Sequence, residues 1–249
     1  MNIYVCVKQV PDTEARVQIG EDGRSIDTRE INFILNPYDE FAVEQALLTK
    51  EALGGEVTAL SLGDENAAAA IRTAMAMGVD NGIHLCTSQP ADDPLQVARA
   101  IAKEIGGQGV DVIFFGKQAV GNQHGQAGVL VAELLGIASI SDVSRLEIGA
   151  GGVRGSREVE GGLESFECGL PAVFTCQKGL NEPRYPSLKG RMAARKKPLD
   201  VREIILEDSL LVIEALGYSP QRERGRVVGE GAAAVPELVR LLREEAKII

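Results

Sequence analysis

Residues Asp111–Gly136 read DVIFFGKQAVGNQHGQAGVLVAELLG. The apolar run Asp111–Phe115 is short and β-rich, the loop Gly116–Gly128 (GKQAVGNQHGQAG) is polar and glycine-rich, and a helix follows to Leu135. A buried strand that turns through a polar loop into a helix is one half of a βαβ unit. Upstream the same rhythm repeats. Asn2–Val7, Glu56–Leu62 and Gly82–Cys86 read as strands. Asn36-Pro37-Tyr38-Asp39 opens a helix with an N-cap asparagine, a proline at the first helical position and an acid in the positive first turn. That helix carries Phe41, Ala42, Gln45, Leu48 and Ala52 along one side and ends at Gly54-Gly55. Asp64 starts a second helix through Met77, and Asp93-Pro94 a third through Ile105. Strands separated by helices of this length predict right-handed crossovers and a doubly wound, mainly parallel α/β sheet covered on both faces.

After Gly136 the rhythm changes. Ile140–Ile148, Val153–Glu158 and Glu164–Glu167 predict an antiparallel extension around turns at Gly149–Gly152 and Gly161-Gly162, and Leu170–Cys176 (LPAVFTC) a further buried strand. Val17–Ile26 reads as a small hairpin, Asp200–Gly231 as an extended arm, and Ala232–Ile249 as a terminal helix with Pro236 near its first turn.

Composition removes several classes of function. Across 249 residues, 36 acids stand against 26 bases, a net charge of −10, which argues against a general nucleic-acid binder. Four scattered cysteines (Cys6, Cys86, Cys168, Cys176) and two histidines offer no zinc or iron–sulfur spacing. Their strand-like settings predict buried, reduced thiols in a cytoplasmic protein. The apolar start MNIYVCVKQV is too short for a signal peptide and suits a strand, and no run approaches a membrane span.

In an open parallel sheet, ligands bind beyond the strand C-termini where the strand order reverses. An order 3-2-1-4-5 puts that point between the first and fourth strands, under the loops Lys8–Thr13 and Gly116–Gly128. Gly116, Gly121, Gly125 and Gly128 let a ligand approach the backbone, while Asn122, Gln123 and Gln126 offer amide donors at a helix N-terminus. A phosphate or an adenylate fits, although the spacing is neither G-x-G-x-x-G nor that of a P-loop. A loop shaped only for packing explains the same glycines. His124 lies at no telling distance from a carboxylate or nucleophile and reads as a loop hydrogen-bonding residue. Asp12 and Asp39 read as capping and turn residues, and no catalytic constellation emerges.

Arg184–Leu199 (RYPSLKGRMAARKKPL) inverts the local charge, with Arg184, Lys189, Arg191, Arg195, Lys196 and Lys197 and no acid. A solvated helix face is one reading. The sharper one is a docking patch, with Leu188 and Met192 one turn apart as a small apolar anchor ringed by cations.

Six segments, in order, resemble the β subunit of electron transfer flavoprotein: Val5–Thr13, Asn36–Leu47, Ile71–His84, Gly116–Gly128, Leu170–Cys176 and Leu180–Leu199. The resemblance implies a Rossmann-like, adenine-nucleotide-binding fold over 1–199, with a partner-recognition loop at about 184–199, and a C-terminal arm and helix over 200–249 packing on an α subunit. It implies a heterodimer that carries one FAD, held mainly by α, and moves electrons from acyl-CoA dehydrogenase-type flavoenzymes towards a quinone-linked oxidoreductase, in fatty-acid β-oxidation. The β subunit then acts as a carrier without catalytic residues of its own and holds a structural AMP. Carried over, the adenylate meets Cys6, Asn36, Pro37, Tyr38, Asp39, Leu62, Gly63 and the run Gly121, Asn122, Gln123, His124, Gly125, Gln126, Ala127, Gly128, Val129, Leu130, Val131. Tyr185, Leu188, Arg191, Met192, Arg195, Lys196 and Lys197 become the docking residues, with Leu188 as anchor. Electron-bifurcating relatives place a second FAD at the AMP site, under a loop with aspartates and a proline. Val120–His124 lacks those acids and Val129 stands after Gly128, which favours AMP. A nucleotide-dependent enzyme or a solitary nucleotide sensor are the competing classes. The enzyme would want a metal-binding carboxylate in Gly116–Gly128, which holds only Lys117 as a charged group.

Overall fold

Alternating apolar side chains feed two separate cores, and this is why the sheet is covered on both sides. In β1 (Asn2–Cys6), Ile3 and Val5 point one way and Tyr4 and Cys6 the other. The structure, a computed structural model, describes residues 1–149, 152–220 and 225–249. After β1 come β2 (Gln9–Pro11), β3 (Phe33–Leu35), α1 (Pro37–Leu53), β4 (Glu56–Gly63), α2 (Ala68–Met77), β5 (Asn81–Cys86), α3 (Pro94–Ile105), β6 (Val112–Gly116) and α4 (Ala127–Leu135). There follow β7 (Ala138–Gly149), β8 (Gly152–Val159), β9 (Gly162–Cys168), β10 (Ala172–Cys176), α5 (Leu188–Ala194), β11 (Leu199–Glu203) and α6 (Val235–Glu244).

The large sheet runs β11-β5-β4-β1-β6-β10-β7-β8-β9, parallel from β11 to β7 and antiparallel across β7, β8 and β9. Within it lies the expected order of the first four strands, β5-β4-β1-β6, with β1 and β6 at the reversal; the fifth place is taken by β10 rather than by β7, the next strand in the chain, which lies outside β10 and parallel to it. The fold is α/β, a Rossmann-like doubly wound sheet with an antiparallel extension. On one face Ile3, Val5, Val57, Val112, Phe114 and Phe174 pack against α1 and α2 through Val43, Ala46, Leu47, Ile71 and Met75. On the other, Tyr4, Leu60, Leu85, Ile113, Phe115 and Val173 meet α3 and α4 through Ala98, Ile101, Ile105 and Val131. Burying a side chain of this size contributes roughly 1.5–3 kcal/mol, so each face supplies a large share of the folding free energy.

Several expectations need correction. The buried side of α1 is Ala42, Val43, Ala46 and Leu47, whereas Leu48 and Ala52 are exposed. That helix is covered on a second flank, because buried Glu44 pairs with Arg184 of the later basic segment, which removes a simple one-sided pattern. Two three-residue strands, β2 and β3, pair antiparallel where only loop was expected. Cys6 and Cys176 are buried, but Cys86 and Cys168 are only half-buried; all four are free thiols. The hairpin over Val17–Ile26 closes on an Ile19–Ile26 bridge. The middle of the turn expected at Gly149–Gly152 lies outside the described residues.

By contacts the chain divides into Met1–Glu214 and Ala215–Ile249. A division at 199/200 would cut through β11, which extends the parallel sheet beside β5. Beyond β11 the first unit continues as an extended strap: the Leu206 N–H donates to Gln89 Oε1 at 2.6 Å and the Leu210 N–H to Asp93 Oδ2 at 2.8 Å. In the second unit a 3₁₀ turn at Ala232–Ala234 leads into α6, and residues 221–224 of the expected arm lie outside the described residues. Arg240 bridges Glu237 and Glu244, each at 2.7 Å, on a helix that buries no residue. No helix among the described residues is long and apolar enough to cross a membrane.

Candidate functional site

A crevice opens beyond the C-terminal ends of β1 and β6, where the strand order reverses. Its apolar wall is Leu60, Leu62, Val97, Ile101 and Phe115; its polar wall is Lys8, Asp92, Lys117, Asn122 and Gln126. A flat apolar base suits the first wall, and an anionic group suits Lys8, Lys117, Asn122 and Gln126 of the second, next to the N-terminus of α4 and away from Asp92. The donor set of this chain therefore fits an adenylate.

Asn36 and Asp39 hold the crevice floor together. Asn36 does not cap α1 with its side chain. Its Nδ2 donates to Asp39 Oδ1 at 2.8 Å and to the Gln118 carbonyl at 2.9 Å, and its Oδ1 accepts from the Val120 N–H at 3.1 Å. The expected cap is in fact a clip between the start of α1 and the loop after β6. Asp39 Oδ2 accepts from the Lys8 N–H at 2.7 Å, which draws in the loop after β1. Burial lifts the Asp39 carboxyl to about 7, against hydrogen bonds from Asn36, Lys8 and Gly116. A Cβ at Gly116 would stand 2.3 Å from Asp39 Oδ1, so the carboxyl occupies the room glycine leaves. Burial also pushes the Cys6 and Cys176 thiols up, with the Asp39 charge adding to it, so neither is a ready nucleophile.

Of the residues singled out in the sequence, Cys6, Asn36, Asp39, Leu62, Asn122, His124, Gly125, Gln126, Ala127 and Gly128 line this crevice. Pro37, Tyr38, Gly63, Gly121, Gln123, Val129, Leu130 and Val131 do not. Val131 is a core residue, Val129 is exposed, and Gly63 takes the Thr87 N–H on its carbonyl at 2.9 Å. Gly121 and Gln123 turn the loop with positive φ of 103° and 50°. The α3 wall, Pro94, Val97 and Ile101, escaped the sequence reading. Its signal was the i, i+4 pair Val97/Ile101 directly after the Asp93-Pro94 helix start. Asp93 accepts from the Leu95 N–H at 2.8 Å, as an N-cap should.

The basic segment sorts into two kinds of cation. Arg184 pairs with Glu44 at 2.8 Å and Glu51 at 2.7 Å. Half-buried Lys197 donates to the Met75 and Val79 carbonyls at 3.1 and 2.6 Å, at the end of α2. Lys197, expected among the docking residues, is thus turned inward to a helix C-terminus. The remaining docking residues face out. Tyr185 is 96% exposed, Leu188 77% and Met192 65%, and Arg191, Arg195 and Lys196 are exposed with no acid in ion-pair range among the described residues. Ser187 caps α5 by accepting from the Gly190 N–H at 3.0 Å, which presents Leu188 at its first turn.

Comparison with known proteins agrees with this architecture. The family model for the electron transfer flavoprotein domain matches residues 24–206. The chain is 40% identical to the electron transfer flavoprotein subunit beta of Bacillus subtilis, with all of both chains covered. It is 36% identical to the subunit of that name in Mus musculus, covering all of this chain and 99% of the relative. It is 34% identical to the Arabidopsis thaliana subunit described as mitochondrial, again over all of both chains. Together with the doubly wound sheet, the crevice at its reversal and the outward-facing Leu188 segment, these matches mean that the chain belongs to the electron transfer flavoprotein family, as a beta subunit.

Proposed function

We propose that this chain pairs with a larger alpha subunit, and that the heterodimer takes electrons from acyl-CoA dehydrogenase-type flavoenzymes and delivers them to a quinone-linked oxidoreductase. The FAD, held mainly by the alpha subunit, supplies the electron storage. This chain binds, orients and docks, and has no catalytic residue of its own. The crevice under α4 takes AMP, with the base against Val97, Ile101 and Phe115 and the phosphate towards Lys8, Lys117 and the loop amides. Asn36 and Asp39 keep the three loops around it in register. The amphipathic helix α6, with Val235, Leu238 and Leu242 along one side and no residue buried, supports a role for the C-terminal unit in packing on the alpha subunit. Four free thiols support a cytoplasmic setting.

The observation that carries the carrier reading is Leu188, an exposed leucine on a short capped helix among cations with no acid in ion-pair range among the described residues. A small apolar tip with a charged rim suits brief contacts, since steering speeds encounter without prolonging residence. The test is to denature the purified heterodimer and count what it releases. One FAD and one AMP per heterodimer are expected. Two FAD and no AMP would replace the AMP reading by the bifurcating one. A colourless chain that turns over a substrate alone would overturn the proposal.

A further inference from the structure

A groove separates α2 from α5 and is lined by arginines. Its floor is alanine: Ala76 on α2 and Ala194 on α5. The helices come this close because Gly190 has no Cβ, which would otherwise stand 2.4 Å from the Ala76 carbonyl oxygen. Arg72 crosses the groove from α2. Its Nη1 donates to the Ala194 and Lys197 carbonyls at 2.6 and 2.9 Å, which fixes the guanidinium in place. Arg191 and Arg195, four residues apart, line the other side.

No carboxylate lies within ion-pair distance of Arg72, Arg191 or Arg195 among the described residues, although the chain carries ten excess acids. Other arginines have found theirs: Arg157 pairs with Glu164, Arg184 with Glu44, Arg240 with Glu237. Three like charges around one concavity, one of them half-buried, call for an anion from outside. A guanidinium fork matches a carboxylate in two parallel hydrogen bonds, which an ammonium cannot do. The same short helix that carries Arg191 exposes Leu188 and Met192, three residues before it and one after.

We propose that this groove receives an acidic side chain of the redox partner that docks on Leu188, gripped by Arg191 and Arg195 above the fixed guanidinium of Arg72. The inference rests on the docking reading above and adds the partner's matching chemistry, a carboxylate placed beside the pocket that accepts the leucine. In a chain of net charge −10, this cluster of arginines without an internal acid among the described residues is a place where a partner's carboxylate is attracted.

The test uses the intact heterodimer and a dehydrogenase that reduces it, followed by stopped flow at low and high salt. In the Arg191→Ala/Arg195→Ala double variant, the second-order rate constant for reduction is expected to fall about tenfold or more at low salt, and its salt dependence to flatten. The Arg191→Lys/Arg195→Lys variant should recover the salt dependence but only part of the rate. Leu188→Ala should slow reduction yet keep the salt dependence. Wild-type kinetics in the arginine variants with slow Leu188→Ala would remove the groove inference and leave the docking reading intact. Wild-type kinetics in all of them would remove both. If inorganic phosphate bound the heterodimer and lost its site in the double variant, with reduction unaffected, the groove would be a small-anion site and the proposal would fall.

Discussion

Asn36 and Asp39 face each other inside the protein, three residues apart at the start of α1, with the amide nitrogen of the first donating to Oδ1 of the second at 2.8 Å. The same amide group serves Gln118 and Val120 of the loop that covers the crevice. Asn36→Ala therefore removes one partner each from the part-buried Gln118 carbonyl, the Val120 N–H and the buried Asp39 carboxyl. We expect a stability loss of about 2–3 kcal/mol by urea denaturation. The variant heterodimer should also release its nucleotide on dialysis more readily than the parent. A loss below about 0.5 kcal/mol would contradict the clip.

Asp39 makes stability depend on pH. Its carboxyl is held at about 7 by burial, whereas in the unfolded chain it titrates near 4. Below the lower value both states are protonated and the full contribution is present. Between the two, the folded state keeps a proton that the unfolded state has released, so stability falls as pH rises, and it levels off above about 7. The expected loss is on the order of 2–4 kcal/mol. Asp39→Asn removes this titration, so the change in unfolding free energy from pH 4.5 to 8 should shrink relative to the parent. An unchanged difference would mean that the carboxyl ionises freely.

Gly128 lines the crevice, yet packing alone requires it. A Cβ there would stand 2.8 Å from Thr175 Cγ2 and 3.2 Å from the Phe115 ring, so α4 would have to move off the sheet. Gly128→Ala should cost about 1–3 kcal/mol, measured by calorimetry. Gly121→Ala meets open space but a φ of 103°, and should cost about 1 kcal/mol through backbone strain alone.

Neighbouring lysines should behave differently. Lys197→Met deprives the Met75 and Val79 carbonyls of a donor at the end of α2 and is expected to cost about 1–2 kcal/mol. Lys196→Met, at an exposed side chain, should change stability by less than about 0.5 kcal/mol. The reverse ranking would show that Lys197 is free for a partner.

What the sequence made legible was whatever depends on neighbours in the chain. The alternation of Ile3/Val5 with Tyr4/Cys6, the glycine stops and the Asp93-Pro94 start are local, and they led to the strand order and to the crevice. What stayed hidden depends on distant partners. Asn36 has the composition of a cap, but its amide is claimed by Gln118 and Val120, 82 and 84 residues on. Arg184 and Lys197 sit in one basic run with Arg191 and Arg195. Only the fold reveals that two of these meet Glu44 and the carbonyls at the end of α2, while two find no acid in ion-pair range among the described residues. Strands β2 and β11 escaped because three residues ending in proline, or five beginning just after Lys196-Lys197-Pro198, carry too little pattern to announce a strand.

The sheet also guards its own borders. At one end β11 covers the hydrogen-bonding side of β5. At the other, β9 is the last strand, and its Glu164 and Glu167 lie directly opposite Arg157 and Arg154 of β8, paired at 2.7 and 2.9 Å. A foreign strand trying to add itself there would confront a row of charges rather than a bare apolar ribbon. This rim should therefore resist runaway self-stacking even though Leu163 beside it is open to water.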